Sequence, residues 1–199
     1  PFCWCVVVVI DHYSRHVMAV VSFKHWPTSR SVQRFLERTM DSAGANPKHL
    51  ISDKGPQFWC NSFKDWCDHQ GITPRFGAVG QHGSIALIER FILTLKNEGM
   101  RVILVPLRTD AFRQELTCFT YWYNQCRPHS SLHGETPHEV YHDLLPACEC
   151  PRYEPARDGR AVRHAHRRTH RSPATVALVF ASMCAIIGIE RTFPIVNLR

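Results

Sequence analysis

Two carboxylates stand out by their flanks. Asp53 closes a short β-prone run, His49-Leu50-Ile51-Ser52, and is followed by Lys54-Gly55-Pro56-Gln57-Phe58. Glu89 falls on the polar side of an amphipathic helical segment, and residues 54–88, 35 in all, separate it from Asp53. A carboxylate at the C-terminal end of a strand and another on a helix crossing that edge can converge. Such a pair suits phosphoryl transfer on DNA. There, carboxylates hold two divalent ions roughly 3.5–4 Å apart against one phosphate, one ion activating the attacking hydroxyl and the other stabilising the leaving oxygen. Hard oxygen donors select Mg²⁺ or Mn²⁺. Taken singly, each residue has an ordinary explanation: an Asp after a strand is a turn former, and a helical Glu is a solvated face.

The elements that must position them can be read from periodicity. Trp4 to Ile10 is an unbroken apolar run, as expected of a strand buried on both faces. Asp11-His12-Tyr13-Ser14-Arg15 interrupts it, and His16 to Phe23 is β-prone again, which predicts a hairpin. Thr28 or Ser29 can cap a helix that buries Val32, Phe35, Leu36 and Met40 and stops at Gly44. After the His49–Ser52 strand, one helix is expected over 58–70, then a short strand over 72–76 and a glycine-rich loop over 77–83. Ser84 is placed to cap the long helix. Ile85, Leu87, Ile88, Phe91, Ile92 and Leu95 fill one arc of its wheel, and Glu89, Arg90, Lys96 and Asn97 fill the other. Two helices follow. One starts near Asp110 and buries Phe112, Leu116, Phe119 and Tyr123; the other opens on Thr136-Pro137-His138-Glu139, a capping box with Pro at the first helical position. Strands alternating with helices define an α/β domain over 1–145.

Four ordered motifs resemble the catalytic core of DDE-type integrases and transposases of the retroviral-integrase and bacterial insertion-sequence kind. Ile51-Ser52-Asp53-Lys54-Gly55-Pro56-Gln57-Phe58 is similar to the segment carrying that family's second aspartate. Gly83-Ser84-Ile85-Ala86-Leu87-Ile88-Glu89-Arg90-Phe91 resembles the helix carrying its glutamate, at the family's own 35-residue spacing. Trp122-Tyr123-Asn124, Arg127-Pro128-His129 and Thr136-Pro137 resemble its C-terminal signature, and Ile10-Asp11-His12-Tyr13-Ser14-Arg15 its second-strand motif. The resemblance implies a ribonuclease-H-like mixed sheet with flanking helices. It also implies metal-dependent DNA strand transfer with Asp53 and Glu89 as catalytic metal ligands, two Mg²⁺ or Mn²⁺ ions, DNA as partner, a homo-oligomer, and a cytoplasmic, nucleoid-associated setting. Lys54, Arg90 and Lys96 are the expected DNA contacts; Lys96, seven residues after Glu89, is equally well explained as an ordinary surface lysine. Arg127 and His129 are better placed in a turn than on DNA.

The family's first catalytic Asp lies upstream of its second-strand motif, on a strand this chain is expected to lack. Asp11 could substitute, but its place in the motif argues against that. In such a fold the first strand would pair with Trp4–Ile10 on one side and His49–Ser52 on the other. The expectation is therefore a gap there, or a filling by the apolar tail that starts at Ala174.

Composition agrees with a nucleic-acid partner. The formal net charge is +7, and 44% of residues are hydrophobic, enough for a core. Nine scattered cysteines read as reduced thiols, mostly small core residues. Residues 146–173 form a Pro/Arg/His-rich linker or basic arm, and 174–199 a short apolar tail of β character. In the linker, Cys148-x-Cys150 and His164-x-His166 lack the usual ligand spacing for zinc. The apolar stretch Ala174–Ile189 has 16 residues, short of the about 20 that span a membrane. Three classes stay open: a strand-transfer enzyme core, a DNA-binding remnant without chemistry, and, less well matched, a ribonuclease-H-like nuclease.

Overall fold

The computed structural model describes residues 4–77, 85–100, 105–145 and 176–182. Strand β1 (Cys5–Asp11) is buried along its whole length. Strand alternation splits its side chains between two cores. Trp4, Val6, Val8 and Ile10 enter one, and Val7 and Val9 enter the other. Each fully buried Val or Ile contributes about 1.5–3 kcal/mol, so this Val run anchors both faces of the sheet.

β2 (Val17–Phe23) returns antiparallel to β1, with an irregularity between Val9 and Ile10. The connecting turn is built by Asp11. Its Oδ2 accepts hydrogen bonds from the Ser14 N–H at 2.7 Å and the Ser14 hydroxyl at 2.6 Å, while its carbonyl accepts from the Arg15 N–H at 3.0 Å. Arg15 takes a left-handed backbone, φ 65°.

The sheet is completed from far along the sequence. Its order is β2-β1-β5-β3-β4, where β3 is His49–Ser52, β4 is Thr73–Phe76 and β5 is Val176–Ser182. β5 runs antiparallel to β1 and parallel to β3. The position between β1 and β3, expected to be empty or filled from the tail, is thus occupied by β5. Residues 146–173, the expected linker, lie outside the described residues.

Helix α1 (Ser29–Ala43) has the expected ends: the Thr28 side chain accepts from the Ser31 N–H, and Gly44 closes it with φ 68°. The single helix expected over 58–70 is instead two, α2 (Pro56–Trp59) and α3 (Asn61–His69), split where Cys60 is extended. Packing explains the break. Phe58 and Phe63 are both fully buried and meet edge to face at 5.3 Å. In one continuous helix, residues five apart point about 140° away from each other. Helices α1 and α3 cover the Val7/Val9 face.

The opposite face is covered by α4 (Ala86–Thr94) and α5 (Thr109–Gln125). Trp4 stacks on Phe112 at 4.8 Å and donates its indole N–H to the Pro106 carbonyl at 3.0 Å. Ser84, the expected cap of α4, lies outside the described residues. Beyond Thr94 the helix widens into a π-helix over Leu95–Met100. Leu95 and Met100 are both buried in the same core, and the wider turn lets residues five apart share a face. Gly99 sits against Phe119, where a Cβ would come within 2.8 Å of the ring. The α-helical wheel that set Lys96 beside Glu89 therefore does not describe Lys96, which belongs to the π-helical turn.

Of the described thiols, Cys5 and Cys67 are buried as expected, whereas Cys118 and Cys126 are exposed. Among the described residues no helix is long and apolar enough to cross a membrane.

Candidate functional site

Asp53 follows directly on β3 and is half-buried. Ile51 packs into the core on the α4 side. Asp53 Oδ1 accepts from the Gly55 N–H at 3.3 Å. Partial burial raises the Asp53 carboxyl above its ordinary pKa, and the Gly55 N–H opposes that shift. Glu89 lies in the first turn of α4, half-buried, with Ile88, Phe91 and Ile92 turned into the core around it. Helix α4 packs against β5, the neighbour of β3. Asp53 thus lies at the end of β3, and Glu89 on the helix packed against the neighbouring strand β5. Both are hard oxygen donors, a chemistry that fits Mg²⁺ or Mn²⁺.

Asp11 does not join them. It is 6% exposed, and its carboxylate is committed to the hairpin turn through Ser14. Among the described residues, Asp11, Asp53 and Glu89 do not close into a group of three metal-capable ligands. β5, at the centre of the sheet, carries no Asp or Glu.

The three expected DNA contacts sit on separate elements. Lys54 is exposed beside Asp53, its ammonium 5.4 Å from the Trp59 ring. Arg90 is exposed on α4 next to Glu89, and Lys96 is half-buried in the π-helical turn. Two further features near Asp53 escape a sequence reading. Trp59 is 48% exposed. It packs edge to face on Phe76 at 4.8 Å and lies under Lys64 as well as Lys54, with the Lys64 ammonium at 4.3 Å. An exposed aromatic between two cations is a surface on which a base can stack. The sequence counts Trp59 only as a helical residue, since its exposure follows from the break at Cys60. Gln57 is 5% exposed, and its amide nitrogen finds no partner among the described residues. A Cβ on Gly55 would lie 2.5 Å from that nitrogen, so a larger residue there would have to shift the Gln57 side chain.

The C-terminal signature is structural. The Asn124 side chain accepts from the Val17 N–H at 2.9 Å and donates to the Val17 carbonyl at 3.0 Å, tying α5 to the first residue of β2. Arg127 forks onto Glu98 with bonds of 3.0 and 2.9 Å, fixing the π-helical turn to the end of α5. His129 packs on Tyr123 at 4.8 Å. Burial and then the nearby Arg127 bring the His129 imidazole down to a pKa of about 4, so it is neutral at physiological pH. The turn is closed by the Gly134 N–H donating to the His129 carbonyl and by His133 at φ 56°. Helix α6 (Pro137–Tyr141) then opens on the expected capping box of Thr136 and Glu139.

A five-stranded mixed sheet in this order, with helices on both faces, is the ribonuclease-H-like architecture shared by retroviral integrase catalytic cores. The chain belongs to the integrase core domain family, with residues 2–82 matching one model of that domain and residues 70–137 a second. Among curated relatives, it is 29% identical to the insertion element IS407 uncharacterized 31.7 kDa protein of Burkholderia multivorans, over 67% of this chain and 47% of that protein. It is 25% identical to the putative transposase InsD for insertion element IS2E of Escherichia coli K12, over 48% of this chain and 43% of that protein. The chain thus spans under half the length of either relative. Among solved structures, the HTLV-2 integrase catalytic core domain in complex with magnesium superposes with a TM-score of 0.51 at 24% identity, over 70% of this chain and 84% of that one.

Proposed function

We propose that this chain forms the core of a mobile-element protein that moves DNA by phosphodiester strand transfer, with Asp53 and Glu89 as its metal-holding carboxylates. The observation that carries this reading is the placement of Asp53 at the end of β3 and of Glu89 on the helix packed against the adjoining strand β5. A divalent ion bound there would supply charge neutralisation and activation of a hydroxyl at the phosphate. The chain's own part is positional. The Gly55 N–H orients the Asp53 carboxylate, and the buried face of α4 sets the direction of Glu89. Lys54, Arg90 and Lys96 meet the DNA backbone, and Trp59 offers a stacking face beside Asp53. The DNA would be element ends and target, handled by a homo-oligomer in the nucleoid.

Paramagnetic Mn²⁺ tests the site without relying on activity. Added to the full chain, it is expected to broaden the amide resonances of residues 52–55 and 88–90 together. Asp53→Asn and Glu89→Gln should each weaken this broadening at both segments. Broadening of one segment alone would show that the two carboxylates do not share an ion.

A second reading, a DNA-binding remnant without chemistry, is favoured by the lack of any carboxylate on β5. Two carboxylates without a third hold metal weakly, because such sites need placement within about 0.5 Å. In this reading the chain binds DNA and performs no Mg²⁺-dependent strand transfer; transfer that Asp53→Asn abolishes would exclude it. Both readings predict electrostatic binding. With Lys54, Arg90 and Lys96 each neutralising a phosphate, affinity should drop about 40-fold between 50 and 200 mM salt. A salt titration with a flat response would remove this face as a DNA surface.

A further inference from the structure

We propose a second, separate metal site, for Zn²⁺ or a similar borderline transition ion, formed by His16, His138 and His142. Each residue offers a ring nitrogen, and these nitrogens lie within 4.8 Å of one another. His16 stands immediately before β2, while His138 and His142 are four apart on α6 and its C-terminal cap. Residues four apart on a helix are about 40° apart on the wheel, so both imidazoles look to one side, and His16 meets them there. The ring centroids of His16 lie 5.9 Å from those of both His138 and His142, and the last two are 4.3 Å apart.

Three features make this a site for an ion and not only a stack of rings. The first is an unsatisfied group. His16 Nδ1 is buried and finds no hydrogen-bond partner among the described residues, and a coordinated ion would use such a nitrogen. The second is a firm frame. His16 is stacked on Tyr141 at 4.6 Å. Helix α6 is held by the reciprocal bonds of Thr136 and Glu139, at 2.7 Å from the Thr136 N–H to Glu139 Oε2 and 3.3 Å from the Glu139 N–H to Thr136 Oγ. The third is access, since His142 is exposed while His16 and His138 are half-buried. Zinc-bound nitrogens at 2.0–2.1 Å in a tetrahedron sit about 3.3 Å from each other. The widest pair must close by about 1.5 Å, within reach of small turns of the imidazole rings. Burial, reinforced by the neighbouring His138 and His142, holds the His16 imidazole at a pKa of about 4, and burial lowers His138 as well.

Imidazole donors set this site apart from the carboxylate pair, because they suit Zn²⁺, Co²⁺, Ni²⁺ or Cu²⁺ and not Mg²⁺. With three protein ligands, the fourth position is left to water or another donor. A bound ion would clip α6 to the β1–β2 hairpin, joining the end of the integrase core to its first two strands.

The test uses the full chain without a histidine tag. Co²⁺ is titrated in, followed by visible absorption, and then displaced with Zn²⁺. One equivalent of Co²⁺ is expected to give four-coordinate d–d bands without a thiolate charge-transfer band, unaffected by excess Mg²⁺. His16→Ala, His138→Ala and His142→Ala should each weaken binding at least tenfold. His142→Ala is the deciding variant, since an exposed side chain can be removed without unfolding the domain; circular dichroism checks that it folds. Zn²⁺ should raise the melting temperature of the parent chain and not of this variant. Cys148→Ser, Cys150→Ser, His164→Ala, His166→Ala and Asp53→Asn should leave binding unchanged. Undiminished binding in folded His142→Ala, its loss in any of those controls, or no stoichiometric binding would overturn the proposal.

Discussion

Ending the chain at residue 173 is expected to abolish cooperative folding, although it removes only the last 26 of 199 residues. Those residues include β5, which is central in the sheet. It is registered with β1 from Val6 to Asp11 and with β3 from His49 to Ile51. Without it, both neighbours lose a partner. β1 is buried along its length, so its freed N–H and carbonyl groups would point into the gap β5 leaves between the two covering layers. Each buried group left unpaired costs about 1–3 kcal/mol, and a few of them exceed the about 5–15 kcal/mol that holds a domain together. The truncated chain should also associate, because two strand edges become available to other chains. A milder variant, Val179→Pro, removes one donor opposite Val9 and should lower the melting temperature sharply without removing the segment. Thermal unfolding by circular dichroism and amide exchange at Val6–Ile10 are the measurements. A truncated monomer that melts cooperatively within a few degrees of the parent would show that β5 is not integral to the sheet.

The second large effect is expected at Asn124. Its amide makes two buried hydrogen bonds with the main chain of Val17, closing the start of β2 beside the irregularity in its pairing with β1. Asn124→Ala leaves both Val17 groups without these partners, at a cost of about 2–6 kcal/mol. Asn124→Asp keeps an acceptor for the Val17 N–H but sets a buried carboxylate against the Val17 carbonyl. That carboxyl would have a raised pKa in the folded state. The variant should therefore be least stable at neutral pH and recover as pH falls and the protonated form can donate. Urea unfolding checks both: the midpoint should move with the slope unchanged. A loss below about 1 kcal/mol in the alanine variant would mean that these bonds are replaced by water or by relaxation of the strand.

Both predictions concern interactions between segments far apart in the chain, and these are where a sequence reading stops. The ends of α1 at Thr28 and Gly44, and the Thr136–Glu139 box of α6, are legible because capping is chemistry between residues three or four apart. The break at Cys60 and the π-helical turn at Leu95–Met100 are not, because they arise where two side chains five apart must both reach one core. Asn124 reads as part of a motif, but its bond to Val17 cannot be seen from spacing. The same holds for Asp11, whose motif position argues against catalysis and whose bonds to Ser14 show what it does instead.

By itself, the sequence determined what local chemistry can encode. It set the order and nature of most of the elements, the family through its spaced motifs, and the pair Asp53 and Glu89 as carboxylates at a strand end and on a helix. Tertiary structure alone decided three things: that the strand between β1 and β3 comes from residues 176–182, that Trp59 is left exposed under two lysines, and that His16 meets His138 and His142. The reason is physical. Caps and turns are settled by bonds within one turn of chain, whereas strand partners and side-chain clusters are chosen by burial and main-chain pairing summed over the whole domain.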